Sequence, residues 1–179
     1  MTRTCIKELL AQRVSEPQLV AAMFTLDYID SFNIMRVVDR LLVAGYEAPS
    51  LFALAGELHP VASEWQPLLT KALQELGIPT LSRYDAARVI AREIAKMILE
   101  RSLSPLEGAN LLFSAVFCVE EFRREVTIFD ELACALEEPN GERKSFDWLS
   151  GEEIEGIVIE EARKLVEGTE QGRHLKQTL

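Results

Sequence analysis

Apolar residues recur along most of the chain at the three- and four-residue spacings of amphipathic α-helices. Between residues 82 and 101, for example, no glycine or proline interrupts the pattern, and one face carries Ile90, Ile94, Met97 and Ile98. No segment requires the strict alternation of apolar and polar residues that is typical of a β-strand. The pattern therefore predicts an all-α fold of eight or nine helices.

Serine and glycine residues mark several of the predicted helix ends. Ser15, Ser50 and Ser82 are predicted N-caps, because a serine hydroxyl can accept a hydrogen bond from an unpaired N–H group of the first helical turn. The third predicted helix ends at Gly45, which suits a left-handed backbone conformation. Gly77 is the predicted stop signal of the fifth helix.

The eighth predicted helix covers about residues 124–137. The ninth begins with a capping box of Ser150 and Glu153 and ends at Gly168.

The stretch SLSPLEGANLLFSAVF, residues 102–117, predicts the most buried helix of the fold. Ser104 and Glu107 have the spacing of a capping box, and Pro105 occupies the first helical position, where its missing N–H costs nothing. Gly108 lets another backbone come close. Apolar residues then cover almost the whole circumference, as in a helix buried among others. We predict a central helix over about 105–120, with the other helices packed around it.

The same helix carries one polar row, in which Asn110, Ser114 and Cys118 follow Glu107 along one side. Two interpretations are open. In the simpler interpretation, the row is a hydrogen-bonded seam whose small side chains let a neighbouring helix pack closely. Alternatively, Glu107, Asn110 and Ser114 line a small ligand pocket.

The length and composition favour one folded body. A chain of 179 residues with 48% apolar residues can bury a core, and it fits one compact domain or two small ones that share an interface. We predict a single helical domain over residues 1–168, followed by a polar, flexible tail over residues 169–179.

The acidic charge is concentrated in the second part of the chain. The formal net charge is −10, and residues 101–179 contain nine basic and seventeen acidic side chains. This balance argues against a broad basic face that binds nucleic acid or an anionic membrane, and it favours a basic protein partner. The partner-binding candidates are the acidic residues of the last predicted helix, Glu152, Glu153, Glu155, Glu160 and Glu161.

Trp148 directly precedes this acidic helix and has two interpretations. As an exposed side chain it would be an anchor for the partner, because aromatic residues contribute a large share of binding energy at interfaces. As a buried side chain it would pack against the helix, and the sequence favours this second interpretation.

No pattern in the sequence assembles a catalytic or metal site. The only histidines are His59 and His174, and neither belongs to a set of ligands with zinc-site spacing. His59 precedes a proline, where a packing role is favoured over general-base catalysis. Paired glutamates such as Glu120–Glu121 point about 100° apart on a helix, so no pair is a ready-made Mg²⁺ site. We expect no metal, no cofactor and no enzymatic activity.

Three cysteines, Cys5, Cys118 and Cys134, lie far apart and include no Cys-x-x-Cys motif. Reduced, mostly buried thiols in a cytoplasmic protein are the expected state. The first residues lack the apolar core of a signal peptide, and no run approaches the ~20 apolar residues of a membrane span. We predict a cytoplasmic protein that does not bind membranes, and a homo-oligomer stays open.

Three segments resemble a widespread group of small, functionally uncharacterised bacterial all-helical proteins: VAGYEAPSLFALAGEL (43–58), ALQELGIP (72–79) and SLSPLEGA (102–109). The resemblance covers roughly residues 36–168 and implies the helical fold. It brings no catalytic or ligand-binding residues, because its motifs are helix caps and helix ends. The matching positions are Gly45, Tyr46, Glu47, Pro49, Ser50, Leu51, Ser104, Pro105, Glu107 and Gly108.

Two functional hypotheses follow. The first is a non-catalytic protein-binding module, similar in size and charge to the immunity proteins and antitoxins of bacteria, which neutralises a basic partner through an acidic C-terminal face. The second is a small-ligand binder or enzyme that uses the polar row of the central helix. An open pocket against that row would favour the second hypothesis.

Overall fold

The computed structural model describes residues 3–57, 61–137, 146 and 148–176, with the backbone alone for residues 3–5 and 169–176. All regular secondary structure in these residues is α-helical, as the spacing of apolar residues predicts. The nine helices of the described chain are α1 Arg3–Arg13, α2 Pro17–Thr25, α3 Ile34–Val43, α4 Pro49–Ala55, α5 Ala62–Glu75, α6 Arg83–Leu99, α7 Pro105–Val116, α8 Glu120–Glu137 and α9 Gly151–Lys176.

The chain divides into two compact units, Met1–Val89 and Ile90–Leu179. The first unit contains α1 to α5 and the beginning of α6. The second contains the rest of α6 together with α7, α8 and α9. A single domain over residues 1–168 stays a prediction.

In the first unit, helix α3 contacts both α1 and α4, and α4 contacts α5. Trp65 of α5 is buried in this core and meets the ring of Phe24 edge to face, with 5.9 Å between the ring centroids. Its indole N–H donates a hydrogen bond of 3.3 Å to the hydroxyl of Ser31. A large apolar surface is thereby buried without leaving the indole N–H unpaired.

Prolines, not serines, determine where α2 and α4 begin. Pro17 and Pro49 occupy the first helical positions, so the N-caps are Glu16 and Ala48. A proline at this position has the backbone dihedral angle of a helix and needs no N–H partner. The predicted caps at Ser15 and Ser50 are therefore wrong.

Ser50 instead links α4 to α5. It is 3% exposed, and its hydroxyl donates a hydrogen bond of 2.9 Å to Glu75 Oε1, while its backbone N–H donates one of 2.9 Å to Glu75 Oε2. These hydrogen bonds, that of the backbone N–H first, hold the pKa of Glu75 below its usual value. The bidentate contact fixes the ends of two helices against each other.

The predicted glycine and serine signals hold at several other helix ends. Gly45 and Gly77 both have positive φ, 86° and 73°, directly after α3 and α5. Ser82 caps α6, since its Oγ accepts a hydrogen bond of 3.0 Å from the N–H of Asp85. Ser104 also caps its helix, because it directly precedes the proline at the first helical position, whereas Ser15 and Ser50 do not occupy that position.

Helix α7 contacts α8 and α9, and α8 also contacts α9, so these three helices pack against one another in the second unit. Gly108 allows a close approach to α6, because a Cβ atom there would overlap Cγ1 of Ile98 and lie 2.7 Å from its Cδ1. Burial is nevertheless one-sided. Ser114 and Phe117 are exposed on the other side, so the expectation of burial on nearly every side is too strong. Cys118 is exposed as well, so the expectation of a buried thiol is wrong there.

Helices α8 and α9 are longer than their patterns predict. Helix α8 begins at Glu120, before the predicted start at Arg124, and places Phe122 in the core. Helix α9 runs through Gly168 to Lys176, so the predicted end at Gly168 is wrong. A glycine can adopt the left-handed backbone conformation that ends a helix, but it does not have to. Gly168 does not adopt that conformation.

None of the helices in the described part of the chain combines the length and the apolar character that crossing a membrane requires.

Candidate functional site

The start of α9 is fixed by a capping box between Ser150 and Glu153. The Ser150 Oγ accepts a hydrogen bond of 3.3 Å from the N–H of Glu153, and Glu153 Oε2 accepts bonds of 2.8 Å from both the backbone N–H and the hydroxyl of Ser150. These bonds, that of the backbone N–H first, hold the pKa of Glu153 below its usual value. Glu153 therefore has a local structural role within its own helix.

Trp148 lies two residues before this cap and is 74% exposed. Leu149, not Trp148, occupies the position directly before the cap, from which a hydrophobic residue can pack against the helix. The nearest aromatic ring is that of Phe146, with 6.3 Å between the centroids. The favoured interpretation of Trp148 as a buried packing residue is wrong, and its large apolar ring is open to solvent.

The acidic residues of α9 fall into different roles. Glu160 forms an ion pair with Arg163, and Glu161 forms one of 2.6 Å with Lys164, so a basic residue on the same helix offsets each charge. The contact with Glu161 also raises the pKa of Lys164. Glu152 and Glu155 are exposed and take part in no ion pair among the described residues.

We call Trp148, Glu152 and Glu155 the α9 start surface. Glu152 and Glu155 are three residues apart, which makes them neighbours on the surface of a helix. Gly156 follows them, and no heavy atom lies within 4 Å of where its Cβ would stand. All three side chains are exposed, and they supply two carboxylates and one indole around the start of α9.

The chemistry of the α9 start surface suits a cationic side chain. Carboxylates form charge-assisted hydrogen bonds with lysine and arginine, and the face of an indole attracts the same cations. Tryptophan is also one of the residues that contribute most to binding when a partner covers it.

The three pocket candidates of α7 are not joined by any hydrogen bond between them in the described chain. Glu107 accepts hydrogen bonds of 2.8 Å and 3.2 Å from the hydroxyl and the N–H of Ser104, and these bonds lower its pKa, that of the hydroxyl most. Asn110 donates a hydrogen bond of 2.7 Å to Glu137 of α8. Ser114 is exposed. Two of the three are therefore engaged in contacts that maintain the fold.

A depression of about 390 Å³ lies nearby, at the beginning of α8, and contains none of these three residues. Its lining is formed by Glu120, Glu121, Arg123, Arg124 and Thr127. The sequence pattern does not indicate this surface, because it predicts that α8 begins only at about Arg124. The signal available was the charged run EEFRR, which directly follows an apolar helix.

The described residues contain no group of three or more histidine, cysteine, aspartate or glutamate side chains that could hold a metal ion. His59 lies outside the described residues, as does the side chain of His174. The paired glutamates Glu120 and Glu121 line the depression together with two arginines, which would repel a cation.

No protein-family model, curated protein or solved structure matched this chain.

Proposed function

We propose that this protein is a non-catalytic binding module that captures a basic protein partner through the α9 start surface. The observation that carries the proposal is the 74% exposure of Trp148, two residues before the cap of the helix on which Glu152 and Glu155 are exposed. Tryptophan is enriched at protein interfaces, where polar and charged residues form the surrounding rim.

The distribution of charge supports the same partner. Residues 101–179 carry most of the net charge of −10, and a negative field of this kind attracts a positively charged protein over several ångströms of water. Glu160 and Glu161 are not part of the contact in this proposal, because Arg163 and Lys164 offset their charges.

An immunity or antitoxin-like role is the form of this activity that we favour, in which binding covers the active surface of a basic toxin. Such a module needs no catalytic group of its own, only a surface that matches its partner. We also place the protein in the cytoplasm, where thiols are kept reduced.

The test is affinity capture with matched variants. The tagged chain, Trp148→Ala and the double variant Glu152→Lys with Glu155→Lys would be exposed to extract from the source organism, and the recovered proteins identified by mass spectrometry. The control is Glu47→Lys with Glu57→Lys, which makes the same change in net charge at two exposed residues of the first unit.

We expect the wild type and the control to recover the same basic protein, and both α9 variants to lose it. The variants should remain folded, because exposed substitutions usually change stability by no more than about 0.5 kcal/mol. Equal recovery of every protein by all four chains would refute the α9 start surface as a binding site.

A further inference from the structure

A second surface, separate from α9, is built where α7 ends and α8 begins. Phe117 is 45% exposed at the end of α7, and the guanidinium of Arg123 lies over its ring, 4.2 Å from the centroid. The Nε–H of Arg123 also donates a hydrogen bond of 3.2 Å to the carbonyl of Phe117. We call Phe117, Glu120, Arg123 and Arg124 the α7–α8 corner.

The aromatic part of this corner extends along α7. The rings of Phe113 and Phe117 are in contact, with 5.0 Å between their centroids, and Phe113 is half-buried. The corner therefore presents an apolar surface that the stacked guanidinium covers only in part. An exposed phenylalanine held in place by a cation is a rigid, low-entropy contact surface.

The charges at the beginning of α8 have a simple order. Phe122 is buried, so the opposite side of the helix faces solvent. At 3.6 residues per turn, Glu120 and Arg124 lie about 20° to either side of that outward direction and about 6 Å apart along the axis. One is acidic and one is basic, and both are exposed.

This order is self-complementary under two-fold symmetry. When two copies of α8 face each other in antiparallel orientation with the axis at the level of Phe122, Glu120 of each copy faces Arg124 of the other. A two-fold axis makes every contact twice, so one opposite-charge pair becomes two. Parallel orientation would instead place equal charges against each other.

The net charge favours a surface of balanced charge as the place where two copies can meet. Two chains of charge −10 repel each other. Elsewhere in the second unit, the exposed side of α9 is acidic at Glu152 and Glu155, and α8 continues with Glu131. The α7–α8 corner places arginines beside glutamates, so a second copy can approach there without a large electrostatic penalty.

We propose that the α7–α8 corner is a homodimer interface, in which two copies of α8 pair antiparallel through reciprocal Glu120–Arg124 contacts flanked by Phe117. This inference uses none of the residues of the α9 start surface and so does not rest on the proposed function.

The experiment measures the mass of the full chain by sedimentation equilibrium from micromolar to millimolar concentration. The wild type should approach twice its chain mass of 20.2 kDa. Arg124→Glu should raise the dissociation constant by about tenfold or more, because each Glu120 then faces an acidic residue. The control Arg101→Glu changes the charge equally at an exposed residue outside the corner and should leave the dimer intact.

Charge exchange separates this arrangement from a loss of folding. The double variant Glu120→Arg with Arg124→Glu keeps the net charge and restores opposite charges across the axis, so it should dimerise like the wild type. An equimolar mixture of Glu120→Arg and Arg124→Glu should form a heterodimer. Phe117→Ser should weaken every one of these dimers. Circular dichroism confirms that each variant is helical.

Three results would overturn the proposal. A wild type that is monomeric throughout the concentration range would show that the corner faces solvent or a different protein. A dimer that persists in Arg124→Glu would place the interface elsewhere on the chain. A double variant that stays monomeric, although folded, would exclude the antiparallel pairing of Glu120 with Arg124.

Discussion

At the scale of single residues, the same amino acid has opposite roles at Gly108 and Gly156. A Cβ atom at Gly108 would overlap the buried side chain of Ile98, whereas one at Gly156 would have no heavy atom within 4 Å. The first glycine permits close packing of α6 against α7. The second lies on the exposed side of a helix, where it has no packing role.

Replacing Gly108 should therefore destabilise the protein. Gly108→Leu forces Ile98 and its neighbours apart, and overpacking of this kind costs about 1–3 kcal/mol. The measurement is the free energy of unfolding in urea, with m-values compared to check that unfolding stays two-state. The double variant Ile98→Ala with Gly108→Ala shortens the side chain that obstructs the new Cβ atom. Its loss of unfolding free energy should therefore be smaller than the sum of the losses in the two single variants. If the two losses simply add, the contact between these residues is contradicted.

Gly156→Ala should have the opposite effect. Alanine loses less backbone entropy than glycine on entering a helix, so this variant should gain about 0.5–1 kcal/mol of stability. The same urea titration measures it, and Gly108→Ala is its natural counterpart. A loss of stability in Gly156→Ala would mean that the exposed side of α9 is covered by something other than solvent.

At the scale of secondary-structure elements, local signals were predictable and distant ones were not. The capping boxes at Ser104 and Ser150 could be predicted because both partners lie within four residues. The hydrogen bond from Asn110 to Glu137 joins residues that are 27 apart in sequence, so no local pattern contains it. The exposure of Trp148 likewise depends on how the preceding chain approaches α9, which composition and spacing do not determine.

The capping box of α9 should make the stability of the protein depend on pH. Because the folded pKa of Glu153 is lowered, its contribution is fully present above the ordinary pKa of glutamate and is lost as the pH falls through the folded pKa. Glu153→Gln should therefore be less stable than the wild type at neutral pH, with a difference that shrinks in acid. Thermal unfolding measured at a series of pH values checks this.

The matched control for the cap is Glu152→Gln, which removes a charge from the same turn without touching Ser150. At neutral pH, Glu152→Gln should lower the stability of the protein by less than Glu153→Gln does. Ser150→Ala, which removes the other half of the box, should cost about 1 kcal/mol. Equal pH profiles for Glu153→Gln and Glu152→Gln would assign the effect to the helix dipole rather than to the cap.

At the scale of the whole molecule, the two proposed contacts of this acidic chain, whose net charge is −10, use charged side chains in different ways. The α9 start surface uses uncompensated carboxylates, which attract a basic protein. The α7–α8 corner pairs acidic with basic side chains, which allows two copies of an acidic chain to meet. In this proposal the two contacts respond differently to charge substitutions, so a variant at one surface leaves the other intact.

Association and dissociation of the basic partner should depend on different residues of the α9 start surface. Glu152 and Glu155 act at a distance and should set the association rate, while Trp148 acts only in contact and should set the dissociation rate. With the captured partner on a biosensor, rising salt should slow association of the wild type and change dissociation less, since mobile ions screen exposed charges over about 10 Å at 0.1 M.

Glu152→Lys with Glu155→Lys should slow association and make its rate less dependent on salt. Trp148→Ala should instead accelerate dissociation and leave the salt dependence of association unchanged. If Trp148→Ala instead slowed association while dissociation stayed constant, the indole would not be covered in the complex, and the partner would be held by charge alone.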